Sequence, residues 1–207
     1  VEGLTPGQAS LLADKSLSRA DRILADCARG DMFLLTMQDA AYPARLRDIF
    51  DPPVLLYGKG SLPLFDEEAA IAVVGTRSCT PYGLRCAHRM GYELARQGAV
   101  VVSGMAKGID GAAMRGALQA GGFTAAVLGG GVDVVYPAEN RRLYEDIAAT
   151  GVLLSEYPPG TEPLPGHFPV RNRIISGLSL ATVVVEAPEK SGALITANTA
   201  LEQGRDV

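Results

Sequence analysis

The chain has 207 residues, of which 47% are hydrophobic, and its formal net charge at pH 7 is −4. This apolar content is sufficient for a buried core, and no apolar run approaches the roughly 18 residues that a membrane-spanning helix needs. The acidic balance gives no support to a generally basic nucleic-acid binder, although a local cluster of cations can dominate one crevice. The N-terminal residues lack the pattern of a signal peptide. Three cysteines without metal-ligand spacing predict reduced thiols in a cytoplasmic protein.

The first 65 residues differ in pattern from the rest of the chain. Leu4–Gly30 is polar and rich in alanine and leucine, with apolar residues at helical spacing, and its final glycine is typical of a helix stop. Asp51-Pro52-Pro53 breaks the chain before Val54–Tyr57, a short predicted strand. Residues 1–65 are therefore predicted to form a small, mostly helical module with a connector.

From Ala69 onward, short apolar runs alternate with stretches at helical spacing. Runs of Val, Ile, Leu and Ala bounded by glycine are typical of strands that are buried on both faces. The predicted strands are Ile71–Val74, Ala99–Val102, Thr124–Leu128, Val152–Ser155 and Thr182–Glu186. The predicted helices are Pro81–Gln97, Ile109–Ala120, Asn140–Ala149, Arg171–Leu178 and Ser191–Gln203. This alternation predicts an α/β fold, with a mostly parallel open sheet and helices on both faces, in residues 66–207.

The last three residues, Arg205–Val207, have the pattern of the start of another strand. An unpaired strand is an unusual place for a native terminus because its backbone groups lack partners. We therefore expect the domain of residues 66–207 to be truncated at its C-terminal end and to continue in the intact protein.

Four glycine-bearing turns follow predicted strands, at the edge where the carboxyl ends of parallel strands meet. They lie in Ile71–Ser78, Val100–Asp110, Ala126–Gly131 and Val183–Ala193. Glycine lets backbone N–H groups approach a phosphate closely, and the N-terminus of a following helix favours negative charge. The sequence therefore predicts a phosphate-bearing ligand in a single crevice.

The first turn carries Arg77 between the hydroxyl groups of Thr76 and Ser78. A guanidinium in this place suits a bidentate contact with phosphate oxygens, and a solvated turn arginine is the alternative. The turn lacks the dinucleotide fingerprint and the Gly-Lys-Ser/Thr of a triphosphate-binding loop. A nucleotide of either of those classes is not indicated.

The second turn places Ser103, Gly104 and Lys107 at a strand end. Asp110 follows them and is interpreted as the N-terminal cap of the next helix rather than as a catalytic carboxylate. The third turn, Gly129–Gly131, permits almost any backbone shape, and a flexible turn is its simplest interpretation. Three such turns at successive strand ends nevertheless favour a binding role.

Arg171, Asn172 and Arg173 open a predicted helix. Two arginines at the positive end of a helix dipole are unfavourable unless an anion is near, so this segment indicates a polyanionic ligand. In the last turn, Lys190 is a candidate phosphate contact and Ser191 is predicted to cap the final helix.

Signals of catalysis are weak in this sequence. Neither His167 nor Glu156 is paired with a nucleophile at a spacing typical of catalysis, so we expect the crevice to bind rather than to react. Tyr157 and Phe168 lie near the crevice, where bases of a single strand can stack on rings while cations follow the backbone. Packing is the alternative for these rings and the favoured role of Tyr136.

Seven segments, in order along the chain, carry a resemblance to a known family. They read LTMQDAAYPARLRDIFDPPVLLYGKG, VVGTRS, SGMAKGIDGAAMRGAL, VLGGGVDVVYPAEN, LLSEYPPG, FPVRNRIISGLS and VVVEAPEKSGALITANTALEQGRDV. From about Leu35 to the last residue they resemble the bacterial DNA-processing protein A (DprA/Smf) family. Any one segment alone would be a weak signal, and the ordered set is a strong one.

The resemblance implies an extended Rossmann-like domain that binds single-stranded DNA without a required catalytic step or a cofactor. Members of the family protect incoming strands during natural transformation, load the RecA recombinase onto them and form homodimers. No membrane partner is implied. The module in residues 1–65 resembles the sterile-alpha-motif-like domain of many members, and a C-terminal winged-helix-like domain is expected beyond the present sequence.

The resemblance also implies which residues bind DNA, with Arg77 as the best candidate for gripping phosphates. Gly75, Gly104, Gly129 and the segment Arg171–Arg173 fall on matching motif positions. Joined to the turn residues described above, the expected DNA-binding set is Gly75, Thr76, Arg77, Ser78, Ser103, Gly104, Lys107, Gly129, Gly130, Arg171, Asn172, Arg173, Lys190, Ser191 and Gly192.

Two positions depart from the family pattern. The second motif usually ends in histidine, where this chain has Met114, which predicts a packing role for that position. The first motif commonly has serine where Thr76 stands, which is a mild change.

Two alternatives stay open. A nucleotide-processing Rossmann-like enzyme of the phosphoribohydrolase type would suit the same crevice, but it would need a paired carboxylate and arginine on a Pro-Gly-Gly turn. Gly129–Gly131 has no acidic residue after it until Asp133. A protein-interaction module acting through an apolar patch is the other alternative.

Overall fold

The computed structural model describes residue 3, residues 5–13 and residues 15–207. Seven strands form its sheet: β1 (Phe33–Thr36), β2 (Leu55–Gly60), β3 (Ala70–Val74), β4 (Val100–Ser103), β5 (Thr124–Val127), β6 (Val152–Ser155) and β7 (Ala181–Val184). The helices are α1 (Pro6–Ala13), α2 (Ser18–Arg29), α3 (Ala44–Arg47), α4 (Pro81–Arg96), α5 (Ile109–Gln119), α6 (Arg141–Thr150), α7 (His167–Gly177) and α8 (Gly192–Glu202). A 3₁₀ turn, Ala138–Asn140, precedes α6.

The strands lie in the order β1-β2-β6-β5-β4-β3-β7. Strands β3 to β7 pair in parallel, whereas β1 with β2 and β2 with β6 are antiparallel. The predicted α/β class with a mostly parallel, Rossmann-like sheet is therefore confirmed. From β3 the chain proceeds to β4 on one side and later returns to β7 on the other, so a topological switch point lies between β3 and β7.

The sheet is covered on both faces because successive strand residues point to opposite sides. On one face, Ala72 and Val102 lie in a core cluster with Leu46 of α3, Ile174 of α7 and Ala193 of α8. On the other face, the alternate strand residues contact α4, α5 and α6; they are Val73, Val101, Ala126 and Leu153. The crevice described below lies at the open carboxyl edge between these two helix layers.

Helix α4 begins at Pro81 because the side chain of Thr80 caps it. The hydroxyl of Thr80 accepts a hydrogen bond from the Gly83 backbone N–H at 3.0 Å, and proline suits the first helical position. Helix α4 then crosses α5 in close contact, because a side chain at Gly91 would collide with the Ala113 carbonyl. Two backbones approach this closely only where one of them carries no Cβ.

Helix α7 begins at His167, four residues before the predicted start at Arg171. Pro169 is tolerated there because the first backbone N–H groups of a helix have no intrahelical partner. Arg171 and Arg173 consequently lie in the second turn, not at the helix N-terminus. The dipole argument for an anion beside these two arginines is therefore wrong, because they lie one turn beyond the positive end of the helix.

The first 65 residues contribute strands as well as helices. Strands β1 and β2 extend the sheet through the pairing of β2 with β6, with Tyr57 opposite Ser155. Of the predicted helical stretch Leu4–Gly30, residues 4 and 14 lie outside the described residues, and the rest includes α1 and α2. The division of the chain after residue 65 and the sterile-alpha-motif-like assignment stay predictions.

At the other end of the described chain, Asp206 forms a single parallel bridge with Ala181, and its carbonyl accepts a hydrogen bond from Thr182 N–H at 2.8 Å. The last residues thus lie beside the edge strand β7. Among the described residues, no helix has both the length and the apolar character needed to cross a bilayer.

Candidate nucleic-acid interface

Two adjoining cavities lie at the carboxyl edge of the parallel strands. The switch-point cavity, of about 360 Å³, is formed by the turns after β3 and β7 with α7 between them, and its polar lining includes Thr76, Arg77, Ser78, Asp110, Arg171, Asn172, Lys190, Ser191 and Thr196. The aromatic cavity, of about 270 Å³, is formed by the turns after β4 and β5, and its lining includes Arg77, Gly104, Lys107, Gly129, Gly130, Tyr136, Phe168 and Arg171. Both cavities share Arg77, Phe168 and Arg171, so they form one continuous surface.

Arg77 lies between the two cavities. Its guanidinium carbon is 5.0 Å from the centre of the Phe168 ring, and that ring stacks on Tyr136 at 5.5 Å between centroids. The cation is attracted by the face of the ring, which holds it at the rim. Within the described part of the chain, Arg77 forms no ion pair, so its five N–H donors are available to a ligand.

The backbone of the Arg77 turn is fixed by the last turn of the fold. Thr76 N–H donates to the Glu186 carbonyl at 2.7 Å, and Ser78 N–H donates to the Thr76 hydroxyl at 3.3 Å. The turns after β3 and β7 are thereby tied together across the switch point, so the predicted cation and the N-terminus of α8 face one cavity.

Arg171 is only 5% exposed and supports the site from beneath. Its guanidinium donates to the Gly104 carbonyl at 3.0 Å, to the Val127 carbonyl and to the Asn172 side-chain oxygen at 3.1 Å. Burial lowers the pKa of Arg171 to about 10, and Asp110 partly offsets that shift. The side chain therefore joins the turns after β4 and β5, with its guanidinium donors committed to backbone carbonyls.

Asp110 is not the helix cap that the sequence predicted. The cap position of α5 is Gly108, and the buried Asp110 carboxylate accepts a hydrogen bond from Gly104 N–H at 3.2 Å. Burial raises the pKa of this carboxyl group, and the neighbouring Arg171 opposes the rise. The helix-cap prediction is wrong because Asp110 is the second residue of α5, and its carboxylate contacts the Gly104 N–H and the buried Arg171 cation.

Close packing explains the glycine at position 104. A Cβ there would collide with the Arg171 guanidinium. The absence of a side chain at Gly104 thus leaves room for the buried Arg171 guanidinium, whereas the sequence analysis explained this glycine by the close approach of a ligand phosphate. The cavity wall at Gly104 is consequently built by Arg171 and the backbone together.

Two lysines lie at the rims. Lys107 lines the aromatic cavity and pairs with Glu139, and both side chains are more than half exposed. An exposed pair of this kind contributes little stability, so a phosphate can replace the glutamate at small cost. Lys190 lines the switch-point cavity and forms no ion pair among the residues that the structure describes.

The N-terminus of α8 opens into the switch-point cavity. Ser191 is its cap, as predicted, and its hydroxyl accepts a hydrogen bond from Ala193 N–H at 3.3 Å. Gly192 is the first residue of the helix, and Asn172 from α7 lies opposite. Free backbone N–H groups at such a helix start favour an anion, here beside Arg77 and Lys190.

Two residues of the predicted set lie elsewhere. The Arg173 side chain is 14% exposed and pairs with Glu156 at 2.7 Å and Asp51 at 3.2 Å, so it ties α7 to the chain before β2. These acids raise its pKa against the effect of burial. Ser103 is fully buried, and its hydroxyl donates to the Val73 carbonyl at 2.6 Å. Their DNA-binding roles stay predictions that the geometry does not favour.

Three supporting residues were missed or only partly anticipated. Asn140 is buried and donates to the carbonyls of Met105 at 2.9 Å and Ala106 at 3.2 Å, which positions the Lys107 turn. The sequence analysis included Asn140 in the segment that ends in YPAEN, but it assigned no role to this residue. His167 stacks on Tyr157 at 4.0 Å, and its Nδ1 lies 2.9 Å from the Gly129 carbonyl.

Met114 is fully buried among apolar residues of α5 and α6, which confirms its predicted packing role. In the described part of the chain, no three His, Cys, Asp or Glu side chains are placed to hold a metal ion. The expectation that the chain is not an enzyme stays a prediction.

Comparison with known proteins gives concordant results. The family model of the DNA recombination-mediator protein A matches residues 33–207. The chain is 45% identical over 186 residues to the DNA processing protein DprA of Bacillus subtilis, covering 90% of this chain and 63% of that protein. It thus spans less than two thirds of that relative's length.

Two solved structures are similar to the chain. The X-ray structure of DNA processing protein A from Streptococcus pneumoniae superposes with a TM-score of 0.83 at 42% identity, covering 97% of this chain and 73% of that one. The Helicobacter pylori protein, whose structure describes a single-stranded DNA binding mode, superposes with a TM-score of 0.76 at 34% identity, covering 83% and 78%. The family match over most of the sequence and the shared fold lead to one conclusion: this chain belongs to the DNA recombination-mediator protein A family.

Proposed function

We propose that this chain binds single-stranded DNA across the switch-point and aromatic cavities. Phosphates lie in the switch-point cavity, against Arg77, Lys190 and the N-terminus of α8, and a base contacts the rings of Tyr136 and Phe168. The observation that carries the proposal is the position of Arg77, an unpaired cation on an aromatic face between a polar and an aromatic cavity. Cations that follow the backbone beside rings that stack on bases are the common means of binding single strands.

The proposed role in the cell is that of a recombination mediator, which protects incoming strands during natural transformation and loads the RecA recombinase onto them. Homodimer formation is part of this proposal. Its support is family membership and the DNA-binding description of the Helicobacter pylori relative.

A nucleotide-processing enzyme receives no specific support from the site. Asp133, the nearest acid after Gly129–Gly131, accepts hydrogen bonds from Gly160 N–H at 2.9 and 3.0 Å. Asp110, in the lining of the switch-point cavity, is 6% exposed, accepts a hydrogen bond from Gly104 N–H and faces Arg171. Both carboxylates are engaged in holding turns.

The test is Arg77→Ala, measured by titration of a fluorescent oligothymidine at fixed salt. Loss of a charge-assisted phosphate contact of about 2 kcal/mol lowers affinity roughly 30-fold. Arg22→Ala, which removes an exposed arginine from α2, the helix that contacts the outermost strand β1, is the matched control and retains affinity. Equal affinities of the Arg77 variant and the unmodified protein would refute the assigned site.

A further inference from the structure

The exposed face of α4 carries arginines and tyrosines in a line. Gly83, Ala87, Gly91 and Ala95 are buried and define the inner face of this helix. Residues three, four and seven positions apart share one face of a helix, so the opposite face points to solvent. That outer face carries the α4 stripe, which consists of Tyr82, Arg85, Arg89, Tyr92 and Arg96.

The cations of the α4 stripe have no acidic partners in the part of the chain that the structure describes. Arg85, Arg89 and Arg96 are exposed, and across the described residues none of them takes part in an ion pair or a side-chain hydrogen bond to another residue. Glu93 is an acid on the same helix, and it too forms no ion pair with a cation of the described residues. Three unpaired arginines in a row on a protein of net charge −4 form a distinct positive track.

The α4 stripe also presents an aromatic ring. Tyr82 is 69% exposed, although most of a tyrosine ring is apolar. An exposed ring can stack on a base while neighbouring arginines contact the phosphates of a single strand. Charge and ring together favour a nucleic acid as the occupant.

The α4 stripe begins beside the crevice. Helix α4 starts four residues after Arg77, and the acid between them, Glu186, is occupied by hydrogen bonds from Thr80 N–H at 2.8 Å and the Thr80 hydroxyl at 2.7 Å. From Tyr82 to Arg96 the helix rises about 21 Å. At 3.4 Å per phosphate, as in one strand of a duplex, this length corresponds to about six nucleotides.

We propose that the α4 stripe is a second contact surface for single-stranded nucleic acid, occupied by the part of a strand that extends beyond the two cavities. The proposal rests on the proposed function, because the strand reaches the stripe from Arg77. It predicts that affinity depends on strand length, with the added affinity supplied by α4.

The test is the triple variant Arg85→Gln/Arg89→Gln/Arg96→Gln, titrated with oligothymidines of 4 and 20 nucleotides. For the long strand, we expect affinity to fall at least about ten-fold at 0.1 M salt and the slope of log K against log salt to flatten by about two, since three phosphate contacts are lost. Affinity for the short strand is retained. Arg77→Ala lowers the affinity for both strands.

The control is Lys15→Gln/Arg19→Gln/Arg22→Gln, which makes the same charge change at exposed positions in and just before α2, the helix that contacts the outermost strand β1. Long-strand affinity that is unchanged in the α4 variant, or equally reduced in the α2 variant, overturns the proposal. Loss of short-strand binding in the α4 variant overturns it too. If Arg77→Ala leaves both strands bound as before, the proposed function itself fails, which is a separate result.

A second readout needs no substitution. Cys86 lies beside Tyr82 on α4, and trypsin separates its peptide, Cys86–Arg89, from the Cys79 peptide, Ser78–Arg85. We expect the 20-nucleotide strand, and not the 4-nucleotide strand, to slow alkylation of Cys86 by iodoacetamide. Equal alkylation rates of Cys86 with and without the long strand contradict the proposal.

Discussion

The buried pair of Arg171 and Asp110 joins the floor of the site to its walls. The arginine donates to two backbone carbonyls, and the carboxylate accepts from Gly104 N–H. Removal of one member of a buried pair leaves the other charge without compensation. Both residues therefore matter for stability, and their effect on DNA binding is indirect.

Arg171→Leu is predicted to lower the free energy of unfolding by about 3 kcal/mol at pH 7, because Asp110 stays buried without its cation. The pKa of Asp110 is already raised by burial, and it rises further once Arg171 is gone. A folded-state pKa above the unfolded value favours the protonated folded form, so stability falls as pH increases through that raised pKa. Urea unfolding should thus show a smaller loss at pH 5 than at pH 7.

The double variant Arg171→Leu/Asp110→Asn is the control for this prediction, since it removes both charges and should recover part of the loss. A loss of stability that is independent of pH, or that grows toward pH 5, would show that Asp110 does not respond to Arg171.

The sequence analysis grouped Arg171 and Arg173 as one cationic segment, but in the structure their side chains lie in different environments. Residues two positions apart in a helix point in nearly opposite directions, so Arg171 enters the floor and Arg173 pairs with Glu156 and Asp51. The sequence analysis placed the start of this helix at Arg171 because proline ordinarily indicates a helix boundary. In the structure α7 begins at His167 and includes Pro169 in its first turn. The location of Arg77 was predictable because its turn follows the carboxyl end of β3, and the carboxyl ends of parallel strands open onto one crevice.

At the scale of elements, the contact between α4 and α5 depends on glycine. A methyl group at Gly91 would overlap the Ala113 carbonyl, which belongs to backbone and cannot rotate away. Gly91→Ala is predicted to lower the free energy of unfolding by about 3 kcal/mol or more, since overpacking must separate the two helices. Thermal unfolding followed by circular dichroism measures the effect.

Gly166→Ala is the matched substitution, because nothing lies within 4 Å of a Cβ at that position. Its melting temperature is expected to stay close to that of the unmodified chain. Equal melting temperatures for the two variants would mean that α4 and α5 are packed less closely than described.

The parallel strands could be predicted because each is a short, largely apolar run, and those of β3, β4 and β5 are followed closely by glycine. Val152–Ser155 was predicted with its observed bounds, and Ala70–Val74 with an error of one residue. The partner of β2 could not be predicted, since β2 pairs with a strand nearly 100 residues later and local pattern carries no information about that register. Sequence periodicity therefore indicated the class of fold and the strand that became β2, but not the antiparallel pairing of β2 with β1 and β6.

At the scale of the molecule, overall charge and local charge differ. The chain is acidic, yet Arg77 and Lys190 lie at one edge of the sheet without acidic partners among the described residues, and Lys107 has only an exposed one. The field at this edge acts on a polyanion more strongly than the distant acids do, because salt screens charges beyond about 8 Å at physiological ionic strength. Net charge was thus a poor guide to the charge of this edge.

The central claim is that a single strand lies across the two cavities, with a base against Tyr136 and Phe168. Photo-crosslinking with an oligothymidine that contains one 4-thiothymidine, followed by mass-spectrometric mapping of the crosslinked residue, tests it most directly. Crosslinks at Tyr136 or Phe168 that disappear in Arg77→Ala are the predicted result. Crosslinks confined to the amino-terminal ends of the parallel strands, or unaffected by the loss of Arg77, would contradict the claim.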